Sequence, residues 1–226
     1  MTFVFLHSPL VGPATWRATL AELMAAGDRG FAPALPSLGD APVPTYAELA
    51  ARVAEAIGEA TGVILVAHAA AGALVPAVAE AAKGRVAGAI FVDATLPHPG
   101  RSWFNTAPPE LAAGLRAMAK GGLLPPWDKW FPPGALARLV PDLAALEAFL
   151  VELEPLSLGF FEEPAPAVKF DGPSAYLQLS TAYATQAVKA HAMGWPTARL
   201  GLNHLVMLTH PAEVLSLVRT LAADLA

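Results

Sequence analysis

The chain alternates between two hydrophobic periods. Short apolar runs dense in β-branched and aromatic residues fall at 2–6, 31–35, 63–67, 87–92, 175–180 and 197–201, each with the length and composition of a buried strand. Longer Ala/Leu/Glu segments between them repeat their apolar residues at helical spacing, and predict helices over 15–26, 45–60, 71–82, 182–193 and 211–225. The segment at 45–60 opens with Thr45 three residues before Glu48, the pattern of a capping box. Strands that alternate with helices define an α/β class: a mostly parallel central sheet with helices on both faces. Near-continuous apolar strands fit that class, because a parallel strand is covered on both sides.

Between residues 97 and 173 the rhythm breaks. This stretch holds many of the prolines and most of the tryptophans and phenylalanines. Shorter helical pieces are predicted around 108–120, 133–140 and 142–152, joined by turns such as Leu124-Pro125-Pro126-Trp127 and Phe131-Pro132-Pro133-Gly134. So long an interruption between two sheet strands reads as a helical lid or cap inserted into one domain, whose core is 1–96 plus 174–226. A helical subdomain that only covers part of the sheet is the plainer alternative.

Composition narrows the partners. The 226 residues suit a single core, and no run approaches the ~20 uncharged apolar residues of a membrane span. The opening Thr2-Phe3-Val4-Phe5-Leu6 is strand-like, with neither a basic leader nor a cleavage site, so a cytoplasmic location is expected. No cysteine is present, which excludes disulfides, thiolate nucleophiles and thiolate metal sites. With a net charge of −5 and no Lys/Arg stripe, neither nucleic acid nor a membrane is an expected partner. Metal-ligand spacing and a glycine-rich phosphate loop are also missing, so no metal or cofactor is expected.

Candidate chemistry concentrates where Gly62-Val63-Ile64-Leu65-Val66-Ala67-His68-Ala69-Ala70-Ala71-Gly72 turns a buried strand into a helix through small residues. This segment resembles the nucleophile elbow of the α/β-hydrolase fold, in which G-x-S-x-G places a serine on a sharp turn. Ala67, Ala69 and Ala71 fall on the first glycine, the serine and the second glycine. Alanine is small enough for the flanking positions, but at position 69 it has no hydroxyl with which to attack a carbonyl. Two further segments are similar to the family. His7-Ser8-Pro9-Leu10-Val11-Gly12, after the first strand, resembles the loop that donates one oxyanion-hole N–H, the second coming from the residue after the nucleophile, here Ala70. Proline has no N–H, so on this register the loop's donor falls to Leu10 rather than Pro9. Leu202-Asn203-His204-Leu205, before the last helix, resembles the family's late catalytic histidine and implies His204 as general base and acid.

The orienting acid has to be sought elsewhere, since no Asp or Glu occurs from Gly172 to Ala212. Asp93 ends the preceding strand, where functional groups of open α/β sheets gather, and is expected to orient His204, with Asp40 as a weaker substitute. His68, His7, His98, His191 and His210 are read as structural or solvated.

An aromatic roof of Trp103, Phe104, Trp127, Trp130, Phe131, Phe160 and Phe161 would suit an apolar or aromatic small-molecule substrate, although the same rings could form the insertion's own core. Arg101 and Lys129 are the nearby cations, and Tyr176 and Gln178 further pocket candidates. Three accounts fit Ala69. It could replace the native serine of an ester or thioester hydrolase, leaving an inactivated form. It could be natural to a lyase, cyclase or isomerase that uses His204 alone. Or the domain could bind a ligand without catalysis.

Overall fold

The computed structural model describes residues 1–225. In chain order the first part runs β1 (Thr2–Leu6), α1 (Ala14–Ala25), β2 (Arg29–Phe31), α2 (Tyr46–Ile57), β3 (Val63–His68), α3 (Val75–Ala81) and β4 (Val86–Val92). An insertion follows with α4 (Trp103–Thr106), α5 (Pro109–Met118), β5 (Leu123–Leu124), α6 (Ala135–Leu139), α7 (Leu143–Leu150), β6 (Leu156–Ser157) and α8 (Leu158–Glu162). The chain then returns through β7 (Ser174–Gln178), α9 (Ala184–Ala192), β8 (Thr197–Arg199) and α10 (Pro211–Ala223).

Six strands form one sheet in the order β2-β1-β3-β4-β7-β8, and every pairing is parallel. Period-2 alternation sends Phe3, Phe5, Ile64, Val66, Ile90, Val92 and Leu177 to one face, where they pack on Trp16 and Leu23 of α1 and Val214 and Val218 of α10. Val4, Leu6, Leu65, Phe91 and Tyr176 face the other way, onto Leu49 and Val53 of α2 and Val75 and Val78 of α3. Phe5 and Trp16 are fully buried with ring centroids 5.1 Å apart. Truncating such a ring to alanine costs about 3–5 kcal/mol.

Some expected boundaries shift for identifiable reasons. The second strand, expected at 31–35, is Arg29–Phe31, because Pro33 and Pro36 have no N–H to offer a ladder. The helix expected at 71–82 starts as a 3₁₀ turn over Ala69–Leu74 and becomes α-helical only at Val75. Thr45 does close a capping box with Glu48 on α2.

Two carboxylates tie the insertion to the sheet layer. Helix α1 follows Pro13 and has no side-chain cap of its own. Glu152, just after α7, accepts the Ala14 N–H at 2.7 Å and pairs with Arg17 at 3.1 Å. Gly12 is required there, since a Cβ would overlap the Glu152 side chain. Glu163, after α8, accepts the Tyr46 N–H at 3.2 Å where α2 begins. Helix N-termini favour such anions. No helix among the described residues is long and apolar enough to cross a membrane.

Candidate active site

At the carboxyl end of β3 the backbone turns sharply. Ala69 sits at φ +53°, a left-handed conformation that costs a residue with a Cβ about 1 kcal/mol or more. The turn is held from the neighbouring loop: the Thr95 N–H donates to the Ala69 carbonyl at 3.0 Å. A Cβ at Gly72 would overlap the Thr95 carbonyl oxygen, so glycine is needed at 72, whereas Ala71 is accommodated fully buried.

Asp93 follows β4 with φ +43° and is fully buried. Its Oδ1 accepts the N–H groups of Leu179 and Ser180 at 2.8 and 3.0 Å. Its Oδ2 accepts the Ser180 hydroxyl at 2.6 Å and His204 Nδ1 at 2.9 Å. Four donors therefore offset the desolvation of this carboxylate. The Tyr176 hydroxyl fixes the turn, accepting the Ala94 N–H at 3.0 Å and donating to its carbonyl at 2.8 Å.

Because a carboxylate only accepts, the bond to Asp93 assigns the proton of neutral His204 to Nδ1 and leaves Nε2 as the free edge. Both ring faces are covered. Tyr183 stacks on one at 4.9 Å and 4°, and His68 lies 4.4 Å away between centroids. His68 donates from Nε2 to the His204 carbonyl at 3.1 Å. Burial, reinforced by the His204 charge, lowers the His68 pKa well below the ordinary imidazole value, so it stays neutral. Burial, then the Asp93 carboxylate, pushes the Tyr183 phenol up, so it too stays neutral.

A mainly apolar cavity of about 530 Å³ opens above these groups, with Ala69, Ala70, Ser8 and His204 on its floor. The insertion supplies Trp103, Trp127, Trp130 and Phe131 to its walls. The other three roof candidates do not line it. Phe104, Phe160 and Phe161 pack on one another at 5.5–5.7 Å, with Phe160 stacked on Tyr46, and form the insertion's buried core. Tyr176 and Gln178 are likewise displaced: Tyr176 is engaged with Ala94 and Gln178 with the Ser180 carbonyl. Lys129 pairs with Asp128, and Asp40 is exposed in the loop before α2 without a bond to His204.

The oxyanion side differs from expectation in one respect. Ala70 lies in the first turn of the 3₁₀ segment, where backbone N–H groups have no acceptor within the helix. Leu10, however, donates its N–H to Ser8 Oγ at 3.3 Å, and Pro9 faces a different cavity. The Ser8 oxygen accepts that bond, so its O–H remains able to donate into the site. Ser8 and Tyr183 are site residues that the sequence alone does not single out. Tyr183 follows the carboxyl end of β7, and that position was the available signal. The remaining histidines are structural or solvated. His7 accepts the Leu35 N–H and donates to the Ser8 carbonyl, His210 bonds Thr209, and His191 is exposed on α9. No group of three or more His, Asp or Glu among the described residues is placed to hold a metal.

The chain belongs to the alpha/beta hydrolase family, whose model it matches over residues 3–217. No curated protein sequence matches it. Among solved structures it is similar to an extracellular alpha/beta-hydrolase from a Paenibacillus species, at 21% identity and TM-score 0.79, with 97% of this chain and 98% of the other covered. A pyrethroid hydrolase from Sphingobium faniae gives 19%, 0.73, 99% and 97% for the same measures. Tomato methylketone synthase I in complex with 2-tridecanone gives 16%, 0.75, 100% and 98%.

Proposed function

We propose that this chain is an enzyme that moves a proton between His204 and an apolar small-molecule carbonyl compound without forming a covalent acyl intermediate. One observation carries the reading: His204 is tautomerically fixed by Asp93 and faces a cavity in which residue 69 is a methyl group, so its Nε2 meets the substrate directly. The reaction that fits best is decarboxylation of a β-keto acid. Protonated Nε2 donates to the ketone oxygen while the C–CO₂ bond breaks and its electron pair passes into the enol. The enol then takes a proton from solvent at the α-carbon, the one proton that the overall reaction consumes, and returns its hydroxyl proton to Nε2 of His204, leaving a methyl ketone and CO₂ and restoring the protonated imidazole. The Ala70 N–H and the Ser8 O–H are the groups that would stabilise charge on the oxygen. Apolar walls favour a reaction in which a localised carboxylate charge disperses. Tomato methylketone synthase I, of similar fold, has been seen with β-ketoheptanoate and with 2-tridecanone, an acid and a ketone of these two classes.

The test is ketone release from medium-chain β-keto acids, with His204→Ala expected to lower turnover about 10²–10⁴-fold. Equal turnover in that variant would sink the reading. A second reading, hydrolysis of an ester or thioester by a form bearing serine at 69, is favoured by the strained φ at Ala69, which an apolar site has no evident need to keep. Ala69→Ser separates the two. A new, saturable esterase activity on an apolar panel supports hydrolysis as the parent chemistry, and its absence alongside ketone release from the unaltered chain supports the first reading.

A further inference from the structure

Every glycine but one has a reason within the fold to lack a side chain. Of the 18, ten lie at positive φ, where a Cβ is strained. Seven more, Gly12 and Gly72 among them, would bring a Cβ to 3.3 Å or less from a neighbouring atom. Gly114 has neither reason: it lies inside α5 with ordinary helical backbone, and nothing stands within 4 Å of where its Cβ would be. Glycine in a helix interior is less stable than alanine, so α5 carries a weakness that its packing does not require.

The open space beside Gly114 belongs to the catalytic cavity. Leu111, Leu115 and Met118 line that cavity from one stripe of α5, at positions i, i+4 and i+7, and Gly114 takes the i+3 position on the same stripe. Leu115 is buried, but Gly114 is exposed, as are Leu111 at 45% and Phe131 at 39%, although all of them line the cavity. Its mouth is therefore on this side, with Ala69, Ala70 and His204 at the far end. No lysine or arginine lines the cavity, and its one carboxylate, Glu110, is exposed at the mouth beside Leu111. An anionic head is repelled there, which leaves the mouth to the apolar end of a substrate.

We infer that Gly114 determines which chain lengths the site accepts, by leaving a gap one side chain wide through which a straight alkyl chain runs from the cavity to the surface. The inference rests on the proposed reaction only for which end of the substrate meets His204. A short chain ends inside the cavity and never reaches the gap. A longer one passes Gly114, and its outer methylenes lie against α5.

Binding of 2-alkanones to the full chain, followed by quenching of the pocket tryptophans, tests this without turnover. 2-Undecanone is expected to bind at least about 10-fold tighter than 2-heptanone, the gain from burying about two of its four further methylenes. Gly114→Leu fills the gap and should remove about that 10-fold from 2-undecanone while leaving 2-heptanone within about 2-fold. Gly114→Ala should weaken 2-undecanone about 3-fold and raise Tm by about 1–4 °C, since alanine favours the helix. Equal affinity of the unaltered chain for the two ketones, a loss shared equally by both in Gly114→Leu, no loss in either variant, or a lower Tm for Gly114→Ala would each overturn the assignment. Failure of ketone release from β-keto acids with this binding pattern intact would overturn the chemistry and not the role of Gly114; ketone release with an unshifted chain-length preference in Gly114→Leu would do the reverse.

Discussion

The two sides of the cavity floor are built to different standards. On the side of β4 and β7, one buried carboxylate receives four hydrogen bonds and hands its orientation to His204, whose faces are clamped by Tyr183 and His68. On the side of β1 and β3, the floor is a methyl group, a backbone amide and one serine hydroxyl. A buried charge with its full set of donors is costly to assemble and gains little stability over an apolar replacement. A chain that needed only to bind an apolar molecule would have no use for it. The contrast supports the proposed proton transfer at His204, since the other side carries no side chain able to attack a carbonyl.

The sharpest way to break this comparison is Asp93→Asn. The backbone N–H groups of Leu179 and Ser180 require the amide oxygen, so the NH₂ is turned toward His204, where it donates to Nδ1 and imposes the opposite tautomer. Loss of tautomer control at a comparable His-carboxylate pair costs about 10³–10⁴ in turnover. Ketone release is expected to fall by about 10³ while the apolar pocket still binds 2-alkanones. Activity within 10-fold of the unaltered chain would mean that the well-built side is structural.

A smaller effect should come from the barer side. Ser8→Ala removes the hydroxyl donor and frees the Leu10 N–H from its bond at 3.3 Å. One donor lost and another partly released should lower kcat about 10-fold with little change in KM, below the 10²–10³ of an unreplaced oxyanion donor. A change confined to KM would remove Ser8 from the reacting centre.

These two sides were also unequally legible. Asp93 could be found by elimination, since no Asp or Glu occurs from Gly172 to Ala212, and His204 by its place between the last strand and the last helix. Ala69 announced itself through the small residues around it. Ser8 and Tyr183 escaped because their roles depend on where a loop and a short 3₁₀ turn fold back, which no periodicity encodes. The same limit explains the roof. Phe160 and Phe161 are adjacent on the five-residue α8, too short for a helical period to say which face is buried, and both turn inward. Strands survive this problem because alternation specifies a face within a few residues; in the insertion, packing against Tyr46 and Phe104 decided instead.

The smallest expected effect concerns the imidazoles that surround the site but take no part in the reaction. His7, His68 and His98 are all lowered below the ordinary value of 6.5, in each case chiefly by burial. Unfolding restores the ordinary value, so below about pH 6.5 the unfolded chain binds more protons than the folded one. Stability is therefore complete above that pH and declines as pH falls through 6.5 toward the folded-state values, by at most about 1.4 kcal/mol per pH unit for each imidazole that stays neutral. Thermal unfolding should show Tm constant from pH 8 to 7 and falling by several degrees between pH 6.5 and 5, before most carboxylates titrate. His68→Gln keeps a side-chain donor for the His204 carbonyl while removing the titrating group, and should flatten that slope; an unchanged slope would mean that His68 accepts a proton while folded, and that the clamp on His204 is itself charged in acid.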